Sequence, residues 1–416
     1  MELMDRILQD DCWNDFLAHK TAQNNMPAGE LAALKRFVEE KQYVRTADRI
    51  LEEYRLSSPF LHEVNKPGTG TKRIVYRFPE DENFFLKLLS FLAIREYDSL
   101  FADSLLSFRS VIDVKTGVES IRKRVNFSHT CSLKIDLHDY FNAADPVLML
   151  ADLKEAMPKE KKFLCLCENL LNDPYAIRDG KKVECRKGLM AGMPLSGFFS
   201  NLYLTCLDRW FTERSIPSIR YSDDIIVFAD TPEELREYEA VIRSFLSRKG
   251  LEPNERKVLR TMPGEMVDFL GFEFRDSSVN LSMGFVRIMK NAIRRKAHQL
   301  LRRKQEKGLP DAWAIKAFIR FLNRRFYDTR VQGGIAWSCW FFPVLTETDR
   351  LAQLDRYAVQ CMRYIASGNH SRKSYSLRYQ TIQSLGYHSL VNSFWRYRKG
   401  HFDMEERTGE RLLKQN

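Results

Sequence analysis

An α+β chain ending in a basic, all-helical region is what the sequence predicts, on three patterns along its 416 residues. Residues 1–63 keep apolar positions three or four apart, as in LAALKRFVEEKQYVRTADRILEEYRL, the spacing of an amphipathic helix face. From 130 to 275 short alternating runs, CSLKIDL, IRYSDDIIVFAD and MVDFLGFEF, interleave with helical ones such as PEELREYEAVIRSFLSRKG. After Ser282 the pattern is helical, interrupted at PDAW, QGG and SGNHSRKS.

Taken in order, residues 1–63 form a helical N-terminal layer. The segment NKPGTGTKRIVYRFP then reads as a Gly-rich turn leading into a strand, and ENFFLKLLSFLAIREYDSLFADSLLSF returns to helix. A second block runs over 64–125 and a third over 126–284. Residues 285–416 close the chain with 26 Lys and Arg against 10 Asp and Glu, whereas the first 284 residues hold 40 against 45. The net charge of +11 therefore sits in the last third. Lys290, Arg294, Arg295, Arg302 and Arg303 lie in VRIMKNAIRRKAHQLLRRKQEKG with almost no acids between them, which points to a polyanionic partner such as nucleic acid. The plain alternative is a solvated helix face.

No run of eighteen apolar residues is present, and the acidic start MELMDRILQDDCWNDF is unlike a signal peptide, so no membrane partner and a cytoplasmic location are expected. The eight cysteines form no CxxC pair and are expected as buried free thiols.

The chemistry concentrates in carboxylates. Asp223 and Asp224 fall between two alternating runs, where a tight hairpin turn belongs, and adjacent acids there need a compensating charge. Mg²⁺ supplies it while leaving room for substrate phosphates. Asp136 follows the strand-like SLKI; beside the hairpin, it and Asp223 could share two ions about 4 Å apart, the clamp of an in-line phosphoryl displacement. An isolated DD pair is common in surface turns, but this one is embedded among Ile219, Tyr221, Ile225, Ile226, Val227 and Phe228.

On these residues the sequence resembles the reverse transcriptases. KIDLHDYF is similar to their first palm motif, GLMAGMPLSGFFSNLYLTCLD to the Gly-rich positioning motif, and YSDD to the metal-binding turn; GLEPNERKV and FLGF follow in the family's order. The resemblance implies a right-hand polymerase with fingers over 64–125, palm over 126–284 and a helical thumb and extension over 285–416. It implies two Mg²⁺ ions on Asp136, Asp223, Asp224 and the Leu137 carbonyl, with Lys257 near the departing pyrophosphate. Nucleotide contacts are implied at Lys66, Lys72, Arg73, Asp139, Tyr140, Phe141, Ala191 and Gly192, and a primer grip at Phe269, Leu270 and Gly271. Phe141 would occupy the space of a 2′ hydroxyl, and Gly188 and Gly192 would let backbone approach closely. Two positions depart from the pattern: Ala191 stands where many of these enzymes have Gln, and Gly197 where Pro is expected.

The C-terminal region, with WSCWFFPVLTETDRLAQLDRYAVQCMRYIASG and RYQTIQSLGYHSLVNSFWRY, resembles the helical extension of bacterial defence-associated reverse transcriptases, their second type above all. That implies a structured noncoding RNA template, a cDNA product made from dNTPs, and a role against phage. Tyr327, Trp337, Trp340, Tyr375 and Tyr379 are stacking candidates for unpaired bases, with core packing the commoner fate of such rings. The rival readings are an RNA-dependent RNA polymerase or untemplated nucleotidyltransferase, and a catalytically silent RNA-binding protein.

Overall fold

A computed structural model describes residues 1–23, 26–65, 72–109, 114–185, 187–327, 336–368 and 377–401. The chain divides into two compact units, the first comprising 1–23 and 28–265, the second running from 266 onward. The break falls at 265–266, ahead of the 284–285 boundary expected from sequence.

The N-terminal helices are Leu3–Arg6, Asp10–Gln23, Ala28–Glu39 and Gln42–Glu53. They close over Trp13, which is fully buried, stacks on Tyr43 at 5.0 Å and donates its indole N–H to the Ile7 carbonyl oxygen (2.7 Å). The helical layer ends earlier than the pattern suggested, because Phe60–Asn65 is a strand, β1. It pairs antiparallel with β2, Lys72–Arg77, and parallel with β4, Tyr175–Arg178, whose hairpin partner β5 is Lys181–Glu184; β3 is described below. Nearly all of β1 is exposed, so no apolar alternation marked it. The β4–β5 turn is Asp179–Gly180, both at positive φ (51° and 76°), the geometry of a two-residue hairpin loop.

A second sheet carries the acidic motifs. Its strands are β3 (Cys131–Asp136), β6 (Ser218–Tyr221), β7 (Asp224–Ala229) and β8 (Leu259–Thr261), in the order β6-β7-β3-β8. β3 and β7 are buried along almost their whole length, consistent with their Ile, Val and Leu content. The helix Pro232–Arg248 packs on both, and starts with a capping box in which Thr231 Oγ accepts from the Glu234 N–H.

The second unit opens with an antiparallel sheet, β9 (Val267–Phe269), β10 (Phe272–Arg275) and β11 (Ser278–Leu281). All further elements among its described residues are helices: Met283–Lys307, Asp311–Tyr327, Trp337–Phe341, Asp349–Ser367, Tyr379–Ser384 and Leu390–Arg398. The longest buries Val286, Met289, Ile293, Ala297, Leu300 and Leu301, three or four apart, and ends at Gly308 with φ +60°. The α+β expectation with a helical C-terminal region therefore holds.

Among the described residues no helix is long and apolar enough to cross a membrane. All eight cysteines are free; Cys12, Cys131, Cys167 and Cys361 are buried as expected, but Cys165 and Cys206 are exposed, on faces of their helices turned to solvent.

Candidate active site

The two aspartates do not share one position in the hairpin. Ser222 and Asp223 are the two turn residues, with Ser222 at φ +59°, while Asp224 opens β7 opposite Tyr221. On its other side β7 pairs with β3 so that Asp224 stands opposite Asp136, the last residue of that strand. The Leu137 N–H donates to the Asp223 carbonyl oxygen (3.0 Å), tying the turn to the end of β3. Residues 88 positions apart in sequence thus meet through strand register.

The acids in this corner are unequally compensated: Asp136 is paired with Lys257, whereas Asp224 keeps an oxygen without a partner. Burial pushes Asp223 above the usual carboxylate range, and pushes Asp224 up to about 6, against the pull of Lys134 and with Asp136 and Asp223 adding repulsion. Asp224 Oδ1 is buried without a partner, an acceptor that a cation would satisfy. Lys257 donates to both Asp136 carboxylate oxygens at 2.9 Å, and Asn254 Nδ2 reaches Oδ1 at 3.4 Å. Burial opposes the Lys257 charge, but the Asp136 carboxylate outweighs it and holds that ammonium above its ordinary pKa. Among the described residues no three acid, His or Cys side chains converge as a ready-made metal cage. The donor set nonetheless fits Mg²⁺, which binds through one or two carboxylates and keeps positions for water and phosphate; Lys257 pairs with Asp136, and Lys134 stands 3.8 Å from Asp224.

Around the acids the Gly-rich motif is held by backbone contact. The Leu189 N–H donates to the Phe141 carbonyl oxygen (2.7 Å), and a Cβ on Gly188 would stand 2.3 Å from that same oxygen, at a φ of +54°. Glycine is required there both sterically and by conformation. Gly192 has φ +94° and lies against Val75 and Tyr76 of β2, while the Ala191 carbonyl oxygen accepts from the Tyr76 N–H (2.8 Å). Arg73, on the same strand, lays its guanidinium 5.4 Å from the Phe141 ring centroid, so a cation and the expected sugar-contacting ring come together.

Other expected nucleotide contacts are placed differently. Tyr140 is buried, with its hydroxyl on the Ser200 carbonyl oxygen (2.7 Å), which leaves only its backbone for a ligand. Ala191 is buried as well. Asp139 is exposed in the left-handed region and accepts from Asn142. Lys72 is engaged across its hairpin with Glu63 (2.8 Å). Lys66 lies outside the described residues.

A buried network missed in the sequence supports the turn. Arg220 is 1% exposed and forks onto Asp208, with Nε 2.8 Å from Oδ1. Its remaining donors reach the Asn201 (2.9 Å), Ser222 (3.3 Å) and Ser200 carbonyl oxygens. The Ser222 N–H donates to Ser107 Oγ (2.8 Å), which donates in turn to Asn201 Oδ1. Burial works against the Arg220 charge, and Asp208 outweighs it and holds the guanidinium charged, while burial pushes the Asp208 carboxyl above its usual range. The available signal was an Asp on the apolar face LTCLDRWF and an Arg inside a hydrophobic strand.

Within the second unit, Leu270 and Gly271 form the β9–β10 turn at φ +53° and +84°, beside buried Phe269. A leucine at positive φ is a strained choice for a turn. Arg294, Arg295, Arg302 and Arg303 are exposed on the helix Met283–Lys307, and Lys290 covers the Tyr357 ring at 5.5 Å. Tyr327 and Trp337 are core residues, Trp340 stacks on Phe272, and Tyr379 is 39% exposed; Tyr375 lies outside the described residues.

The family model described as reverse transcriptase (RNA-dependent DNA polymerase) matches residues 65–274, half of the chain. No curated protein sequence matches it. Among solved structures the chain is similar to a truncated apo telomerase from Candida tropicalis (12% identity, TM-score 0.46), covering 55% of each chain. It is also similar to telomerase from Candida albicans in complex with the TWJ fragment of telomeric RNA (13% identity, TM-score 0.45, 85% of this chain and 68% of that one). A third is full apo telomerase from Candida tropicalis (11%, TM-score 0.47, 80% and 69%). The chain thus spans about half the length of the first of these structures. With the motif order, the paired strand ends and a matching family model in agreement, the chain belongs to the reverse transcriptase family, the RNA-dependent DNA polymerases.

Proposed function

We propose that the chain copies a structured noncoding RNA into cDNA from dNTPs with two Mg²⁺ ions, as the single-chain polymerase of an antiphage defence system in the bacterial cytoplasm. The observation that carries the chemistry is the register that sets Asp136 against Asp224, with Asp223 hydrogen-bonded at its carbonyl to Leu137. Asp136, Asp223, Asp224 and the Leu137 carbonyl would hold the ions, which supply charge for the attacking and leaving oxygens of in-line transfer. Arg73 binds triphosphate oxygens through its planar fork and braces Phe141. Phe141 excludes a 2′ hydroxyl by bulk, which selects deoxynucleotides. Lys257, kept protonated beside Asp136, offers positive charge or a proton to the leaving pyrophosphate. The noncoding template and the defence role are supported by the resemblance of the C-terminal helices to the second type of defence-associated enzymes.

The test is primer extension by the purified chain on an RNA template with labelled dNTPs and Mg²⁺, together with sequencing of the nucleic acid that copurifies. Replacing Asp223 and Asp224 by Ala should abolish extension while RNA binding persists. Undiminished extension by that variant would remove the site. Incorporation of ribonucleotides alone would overturn the DNA product, and copurified RNA without a recurrent structured species would overturn the noncoding template.

A further inference from the structure

Between the helices Met283–Lys307 and Asp349–Ser367 of the second unit lies a cleft of 720 Å³, bordered also by Tyr379. That volume falls in the span of about 300–1,000 Å³ typical of small-ligand sites. Its wall carries Arg294, Arg356 and Arg363 together with the rings of Tyr357, Tyr364 and Tyr379.

The charge of this wall is one-sided. Among the described residues Asp355 is the only carboxylate in it, and its oxygens are consumed by four donors: the Tyr387 and Ser389 hydroxyls and the Leu390 and Val391 N–H groups. That carboxylate fixes the start of the helix Leu390–Arg398 and has little capacity left for a ligand cation. Among the described residues no acid forms an ion pair with Arg294 or Arg356, and both are exposed. Arg363 is partly engaged, donating from Nε to the Leu377 carbonyl oxygen (3.3 Å). Lys290 adds a fourth cation over Tyr357, and the Tyr364 hydroxyl meets His298 Nδ1 at 3.2 Å. Gln360, exposed on the rim, offers both an amide donor and an acceptor. Cations for a phosphate, aromatic faces for a base and an amide for a base edge are the elements by which proteins capture an unstacked nucleotide.

We propose that this cleft holds one unpaired nucleotide of a bound RNA strand, with its phosphate on Arg294 and Arg356 and its base against Tyr364 and Tyr379. The proposal deepens the reading of the chain as an RNA-copying enzyme by assigning a single-strand contact separate from the carboxylates.

The test is fluorescence anisotropy of a labelled oligouridine with the full chain and no dNTPs, across a salt series, with melting curves confirming that each variant folds. Tyr364→Leu should weaken binding about tenfold, the loss expected of one stacked base. Arg356→Gln should lower the slope of log affinity against log salt by about 0.7, one single-strand phosphate contact. UMP at millimolar concentration serves as competitor: failure to displace the strand fits a strand-borne nucleotide, and displacement abolished by Arg356→Gln fits the same chemistry taking a free one. Unchanged affinity and slope in both folded variants overturn the proposal. Because no synthesis is measured, this failure is distinct from failure of the polymerase, which an inactive wild type in primer extension would reveal.

Discussion

Asp224→Asn should make the metal-free protein more stable while removing its activity. The carboxyl stands at about 6 in the fold against an ordinary 3.8, chiefly because it is buried, with one oxygen unpartnered. A raised acid means that the folded chain holds a proton the unfolded chain releases, so stability falls as pH rises from about 4 to about 6 and stays lower above that. At about 1.36 kcal/mol per pH unit the gap amounts to about 3 kcal/mol. Asn carries no charge and avoids this cost, and the pull of Lys134 at 3.8 Å is already contained in the value of about 6. A gain of about 3 kcal/mol at pH 7.5 is expected, which for a unit of this size is roughly 8 °C in melting temperature. Thermal unfolding in EDTA should show the gain at pH 7.5 and about half of it at pH 5. Mg²⁺ should raise the melting point of the wild type more than that of the variant. A variant less stable than wild type in EDTA at pH 7.5, or a difference independent of pH, would refute the view that Asp224 is an acid strained for want of a cation.

Three further outcomes follow from the geometry. Phe141→Ala should admit ribonucleotides in primer extension, and also loosen Arg73, which rests on that ring; unchanged sugar selectivity would remove Phe141 from the gate. Arg220→Met should destabilise the first unit by about 3–5 kcal/mol, because Asp208 is left charged and buried, and a shift below about 1 kcal/mol in denaturant unfolding would contradict the network. Gly188→Ala should abolish extension, since its methyl would stand 2.3 Å from the Phe141 carbonyl oxygen at a φ that costs a further 1–3 kcal/mol, on the order of ordinary backbone strain; wild-type activity would show that this contact yields freely.

Primary structure by itself determined the strands whose cores are apolar and the residues that bear the chemistry. β3 and β7 alternate or run hydrophobic because they are buried, and Asp136, Asp223 and Asp224 interrupt those runs where a solvated turn would need no such neighbours. The basic helix was legible as well, because its buried Val286, Met289 and Ile293 repeat at helical spacing. The Asp179–Gly180 hairpin carried a readable turn signal, an Asp-Gly pair between two short strands. Tertiary structure alone decided the rest. β1 is a strand although nearly all of it faces solvent, because it gains hydrogen bonds from β2 and β4 that no local pattern encodes. The pairing of Asp136 with Asp224, the fork of Arg220 on Asp208 and the saturation of Asp355 each join residues distant in the chain. Such contacts depend on register and burial, and a carboxylate's neighbours, unlike a helix's periodicity, are set by whichever segments folding brings against it.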